Sequence, residues 1–161
     1  YTDPFRNVAA IMINSTYKNK KIYIYGDGKQ KRSFSDINDC VIALSHMIES
    51  DRNLNKQIYN IGPDDNEITI NELAEYISIL TDMSPELIYV PDRPREVKNA
   101  YCSSDKIKEE FNYRANIGIV TTLTNMIKWI NKRGSRNFEY HLPIEITNKE
   151  ELPQTWKNRL F

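Results

Sequence analysis

Residues 22–40 read IYIYGDGKQKRSFSDINDC, and the order of elements in this stretch decides the fold. Ile22 to Tyr25 alternates branched aliphatic and aromatic residues, as a short buried strand does. Gly26-Asp27-Gly28 supplies a turn. Ser33 to Ser35 is a second short extended piece. Asp36 or Asn38 then caps a helix whose apolar positions Ile37, Val41, Leu44 and Ile48 follow the helical repeat. A dinucleotide fingerprint needs a glycine cluster between a strand and a helix, whereas here extended chain follows the glycines. They are read as turn formers rather than as a phosphate cradle.

Working outward, residues 7–18 place Val8, Ile11, Met12 and Ser15 on one helical face. Gln57 to Ile61 reads as a strand closed by Gly62-Pro63. Thr69 and Glu72 stand at capping-box spacing, and behind them Ile70, Leu73, Ala74, Ile77 and Leu80 form an amphipathic stripe. Leu87 to Val90 is a strand stopped by Pro91, followed by the mixed-charge loop PDRPREVKNA. Helices are expected at about 104–111 and 119–132, the second stopped by Gly134. The tail from Arg136 has no convincing period. The order α-β-β-α-β-α-β-α-α with short strands predicts an α+β domain with a small mixed sheet and flanking helices. Its main body is residues 1–135, with a tail of residues 136–161 packed on it.

At 161 residues the chain is long enough for one domain with a hydrophobic core. Lys plus Arg and Asp plus Glu both number 22, so a neutral chain has no general electrostatic attraction to nucleic acid or anionic membrane. No apolar run is long enough to span a membrane. Cys40 and Cys102 form no metal-ligand set and are read as buried reduced thiols of a cytoplasmic protein. The first residue is Tyr and no signal-peptide pattern opens the chain, so it is expected to begin inside a longer protein or to have been trimmed.

His46 and His141 have no carboxylate or serine constellation and are read as structural, and no metal site is indicated. No GxxGxxG cluster occurs. No catalytic Tyr–Lys pair is expected, because Tyr17 and Lys18 are adjacent where such a pair stands four apart. What remains are arginines. Arg32 follows the turn, and Arg93 and Arg95 lie in the proline-bracketed loop. Two strand-end arginines converging on one point hold a diphosphate well, since guanidinium forks match phosphate oxygens. Spacing alone favours ordinary solvated surface arginines at these positions.

A resemblance adds to this. Residues 22–40 closely resemble the pattern i-(F/Y)-G-D-G-x-Q-x-R-(D/A/S)-F-x-(Y)-(V/I)-x-D of extended short-chain dehydrogenase/reductases. QIYNIG (57–62) with ITINELAEYI (68–77) resembles the family's next block. DRPREVKNAYCSSDKIKEEFNYR (92–114) resembles the block beginning R-P-G-E-V. The tail, FEYHLPIEI and LPQTWKNRLF, resembles that of a UDP-glucose 4-epimerase-like subgroup. The blocks occur in family order over essentially the whole chain. Arg95 departs from the pattern where Gly is common, and Asp36 where an aromatic is usual.

The resemblance implies the small C-terminal substrate domain of such an enzyme, with the NAD-binding Rossmann domain absent from this chain. By position, Arg32 and Arg93 are implied to hold the diphosphate of a UDP-sugar or other nucleotide diphospho-sugar from two sides. Glu96 is implied to bond the ribose hydroxyls, Tyr23 and Tyr25 to line the base, and Asn7 and Val8 to meet phosphate at a helix start. Asp39 is taken as a scaffold residue. The implied parent is a homodimeric, NAD-dependent epimerase working through a 4-keto sugar, and this chain alone is expected to be inactive. The alternatives are part of a 4,6-dehydratase or a UDP-glucuronate decarboxylase, or, in another class, a stand-alone non-catalytic sugar-nucleotide-binding module.

Overall fold

The computed structural model describes residues 1–64, 67–141 and 151–161. The LPIEI part of the tail block therefore lies outside the described residues. Helix α1 (Val8–Asn19) opens at Asn7, whose side chain accepts the Ala10 N–H, and closes at Lys20 in the left-handed conformation. That reversal feeds straight into strand β1 (Lys21–Tyr25), whose Ile22 and Ile24 are fully buried. Strand β2 (Lys31–Ser33) follows the Gly26–Gly28 turn, two residues earlier than the sequence pattern suggests. Helix α2 (Ile37–Ile48) is capped by Asp36, which accepts the Asn38 N–H.

Strand β3 (Glu67–Thr69) runs directly into helix α3 (Ile70–Thr81). The expected capping box is present in both directions between Thr69 and Glu72. Strand β4 (Glu86–Val90), strand β5 (Asn99–Ala100), and helices α4 (Asp105–Phe111) and α5 (Ile119–Arg133) complete the body. Gly134 ends α5 at φ +79°, as a helix-stopping glycine should. A one-turn helix, α6 (Gln154–Lys157), stands in the tail.

The strands form two small sheets. β1 pairs in parallel with β4. β2 sits between β3, antiparallel to it, and β5, parallel to it. The main core lies where α1, α3 and α5 pack around β1. It joins Met12, Ile13, Ile22, Ile24, Leu73, Ile77, Leu123 and Ile127. Each such side chain contributes roughly 1.5–3 kcal/mol by leaving water. The architecture is thus the small mixed α/β arrangement with short sheets that the sequence implies.

Three local readings are corrected. Gln57–Ile61 forms no strand and has no ladder partner among the described residues, and Ile58 is exposed. The apolar stripe of α2 points outward, with Ile37 69%, Val41 51%, Leu44 49% and Ile48 83% exposed, while Asp39 and Ala43 are the buried positions. Ala43 belongs to a second, smaller cluster with Ile107 and Tyr113, flanked by Tyr59, Ile61 and Phe111. Cys40 and Cys102 are unpaired but half-buried rather than buried. Among the described residues no helix is long and apolar enough to cross a membrane.

Candidate functional site

The pairing of the strands brings the arginines together. Because β1 and β4 run in parallel, their C-terminal ends lie side by side, and Gly26 N–H donates to the Val90 carbonyl at 2.8 Å. Because β2 pairs with β5, Lys31 N–H donates to the Lys98 carbonyl at 2.7 Å. The loop between β4 and β5 is therefore held at both ends beside the β1–β2 turn. Arg93 and Glu96 sit on that loop, and Arg32 sits on β2 opposite them.

Glu96 joins the two arginines. One carboxylate oxygen bonds Arg32 Nη2, and the other lies 3.6 Å from Arg93 Nε. The Glu96 side chain is only 11% exposed, so both guanidinium groups point into a sheltered place. Arg93 also lies against two aromatic faces, 5.4 Å from the Tyr25 ring centre and 5.1 Å from that of Trp156. The Tyr25 hydroxyl bonds Thr155 Oγ1. Burial pushes the pKa of that phenol above its ordinary value, although the Thr155 bond and the Arg93 charge oppose the shift.

These groups line a cavity of about 390 Å³. That volume falls within the size range of small-molecule sites, roughly 300–1,000 Å³. All seven residues singled out in the sequence border it: Asn7, Val8, Tyr23, Tyr25, Arg32, Arg93 and Glu96. Asn7 and Val8 bring the N-terminus of α1 to the wall, where unpaired backbone N–H groups favour an anion. The Tyr23 ring forms a T-shaped pair with Phe161 at 5.7 Å. Arg95 is absent from the lining and instead faces Glu151 at 3.7 Å.

Sequence reasoning missed the polar atoms on the cavity walls. Ser15 Oγ, Gln30 Oε1 and Ser33 Oγ are buried with no hydrogen-bond partner among the described residues, and all three residues line the cavity. A buried polar atom left unpaired costs about 1–3 kcal/mol, so a ligand able to bond these groups would recover that cost. Thr155, Trp156 and Phe161 were missed as well, because a one-turn helix in an aperiodic tail carries no pattern.

The Gly26–Gly28 turn behaves as a turn former. Both glycines have positive φ, and a Cβ on either would lie within 2.2 Å of the Asp92 or Asn71 side chain. Strand β2 rather than a helix follows this turn, so it lacks the strand–glycine–helix order of a dinucleotide cradle. The spacing Tyr-x-x-x-Lys does occur, at Tyr17/Lys21 and Tyr25/Lys29, which corrects the expectation that it is missing. Neither pair shares a helix face: Lys21 lies on β1 beyond the Lys20 cap, and Lys29 lies across the glycine turn, 3.8 Å from Asp27. Among the described residues no group of His, Cys, Asp or Glu could hold a metal.

Residues 2–62 match the NAD dependent epimerase/dehydratase family, and the chain is similar to proteins of the extended short-chain dehydrogenase kind. The match carries Asn7, Val8, Tyr23, Tyr25 and Arg32. Among curated proteins, the chain is 30% identical over 132 residues to a UDP-N-acetyl-alpha-D-glucosaminuronate decarboxylase of Bacillus cytotoxicus, covering 78% of this chain and 40% of that protein. It is 30% identical over 113 residues to a UDP-glucuronate 4-epimerase of Thermodesulfobacterium geofontis, covering 70% and 34%. Its fold is shared with the UDP-glucose 4-epimerase of Thermotoga maritima, at a TM-score of 0.73 and 23% identity, covering 82% of this chain and 42% of that one. The chain thus spans 34–42% of the length of these proteins.

Proposed function

We propose that the chain is the nucleotide-sugar-binding portion of a UDP-glucose 4-epimerase-like enzyme, gripping the diphosphate and orienting the sugar for NAD-dependent chemistry at C4. The convergence of Arg32 and Arg93 on the two oxygens of Glu96, inside a cavity bordered by Tyr25 and the N-terminus of α1, carries this reading. Two guanidinium groups that meet around a carboxylate can meet around a phosphate oxygen pair in the same way. Glu96 remains within reach of the ligand to accept from ribose hydroxyls. In this proposal NAD and the proton-transferring Tyr and Lys belong to a further domain of the same protein, and the parent is a homodimer. The outward apolar stripe of α2 and the unpaired Gln57–Ile61 segment support such a domain, since both offer surface to a partner.

A second reading within the class is favoured by the curated relatives. Two of them are decarboxylases, and those described above both act on UDP-linked uronic acids by name. A UDP-hexuronic acid is therefore the alternative substrate, with decarboxylation the alternative outcome. Isothermal calorimetry of the chain with UDP, UDP-glucose and UDP-glucuronic acid tests the proposal. All three are expected to bind, while the chain mixed with UDP-galactose and NAD should form no UDP-glucose. Absence of UDP binding would refute the site, and turnover would refute the division of labour.

A further inference from the structure

Three residues of the tail segment Glu151–Phe161, namely Thr155, Trp156 and Phe161, lie on the wall of the candidate ligand cavity, outside every block that the sequence reading used for site residues. Three features seat them there. Thr155 is fully buried, and its hydroxyl bonds that of Tyr25. Trp156 stands over Arg93 at 5.1 Å and edge-on to Phe5 at 5.2 Å. Phe161 is edge-on to Tyr23 at 5.7 Å, packs on Phe138, and donates its backbone N–H to the Tyr140 hydroxyl. Thr155, Trp156 and Phe161 all line the cavity.

We infer that this C-terminal strap is a working part of the ligand site, with Trp156 as a positioning residue that holds the Arg93 guanidinium toward the anion. The inference rests on the nucleotide-diphosphate reading of the same cavity. A guanidinium on a flexible side chain has many rotamers open to it, and among the described residues Arg93 makes only one contact at ion-pair distance, to Glu96. Stacking on an indole face restricts the guanidinium plane without using its N–H donors, which stay available for phosphate. Thr155 anchors the strap through Tyr25, whose ring also borders Arg93, so anchor and stack act on the same side chain. Phe161 packs against Tyr23, and both line the cavity.

The test uses the 161-residue chain carrying Trp129→Phe, which leaves Trp156 as its single indole because the sequence has two tryptophans. Without ligand, Trp156 is expected to be shielded from acrylamide, and Arg93→Ala should shift its emission. Quenching as efficient as in urea, or no shift with Arg93→Ala, would overturn the inference whatever the chain binds. With ligand, Trp156→Ala should weaken UDP binding roughly three- to ten-fold, the range expected for one partly buried cation–aromatic contact. Trp156→Phe should recover most of that loss, and Trp156→Ala should add nothing further to Arg93→Ala. An unchanged Kd for Trp156→Ala, or a full additional loss on Arg93→Ala, refutes the positioning role. If the parent chain binds no UDP, the nucleotide reading has failed, and the ligand-free arm alone decides whether Trp156 holds Arg93.

Discussion

Replacing Arg32 and Arg93 with Ala, singly and together, is the sharpest probe of the site. A charge-assisted hydrogen bond contributes about 1.5–3 kcal/mol to an interaction. Arg32 is 25% exposed and Arg93 38%, so solvent screening moves Arg93 toward the lower figure. Each single variant should then weaken UDP by at least about ten-fold, and the pair by roughly 100- to 1,000-fold, taking 1.4 kcal/mol per factor of ten. Losing either arginine also leaves Glu96 with a single cation, so its charge repels the incoming phosphate more strongly. Uridine, which has no phosphate, should bind the variants as it binds the parent. Calorimetry at low and at physiological salt reads both ligands, and thermal melting confirms that the variants fold. A double variant within two-fold of the parent for UDP would refute the clamp. So would a variant that loses uridine as severely as UDP.

Other outcomes follow from the rest of the molecule. Asp64 accepts from Ser104 N–H, Ser104 Oγ and Lys108 Nζ, chiefly Lys108, which holds its carboxyl down at about 2. A depressed folded value gives stability that is present above about pH 4 and lost as pH falls toward 2, so Asp64→Asn should cost on the order of 1–2 kcal/mol at pH 7. The gap in Tm between variant and parent should close by pH 2. Tyr113 is buried with its hydroxyl unpartnered among the described residues, and burial pushes it up to about 12. Tyr113→Phe should be neutral or more stable by about 1 kcal/mol, and should lose less stability as pH rises through 10 in a denaturation series. Arg95 holds φ at +59°, which costs a residue with a side chain about 1–2 kcal/mol, against about 0.4–1 for the added freedom of an unfolded glycine. Arg95→Gly should therefore raise stability by on the order of 0.5 kcal/mol, and a fall in Tm would count against the reading. Leu44→Lys with Ile48→Lys, on the outward face of α2, should reduce self-association in sedimentation without lowering Tm.

The parts legible in the sequence are those whose signal is local. Thr69 and Glu72 form their capping box because both partners lie within one turn, and the stripe behind them is buried as its period requires. The Arg95 departure is legible in the same way: the position usually held by glycine keeps a glycine-like φ even with arginine in place. Asp36, the other departure, caps α2 and accepts from Thr122 Oγ1 at 2.8 Å, so the carboxylate ties α2 to α5 where an aromatic would have packed. β3 and β5 were not legible. They are three and two residues long, and they exist only because β2 lies between them. Trp156 was illegible for a related reason, since its importance comes from Arg93, a residue 63 positions earlier brought near by the strand pairing.

The two readings that failed outright share one physical cause. Gln57–Ile61 carries strand chemistry and α2 carries an apolar stripe at helical period, yet neither finds a partner among the described residues. A strand needs a neighbour for its backbone donors and acceptors, and a stripe needs a surface to cover it; periodicity reports the need and cannot report the partner. The two features are also adjacent, since α2, α4 and residues 59–61 meet in the small cluster of Ala43, Ile107 and Tyr113. That cluster packs one side of the unit and leaves Ile58 and the outer face of α2 on the other. Under the proposed function, a sheet edge beside Gln57–Ile61 and an apolar surface over α2 would come from the same further domain. The cavity depends on neither, for it is built by β1, β2, the β4–β5 loop, the start of α1 and the C-terminal strap. Under the proposed function, the binding half would therefore be complete in its own framework, and the unmatched surfaces are those at which a catalytic half would be held.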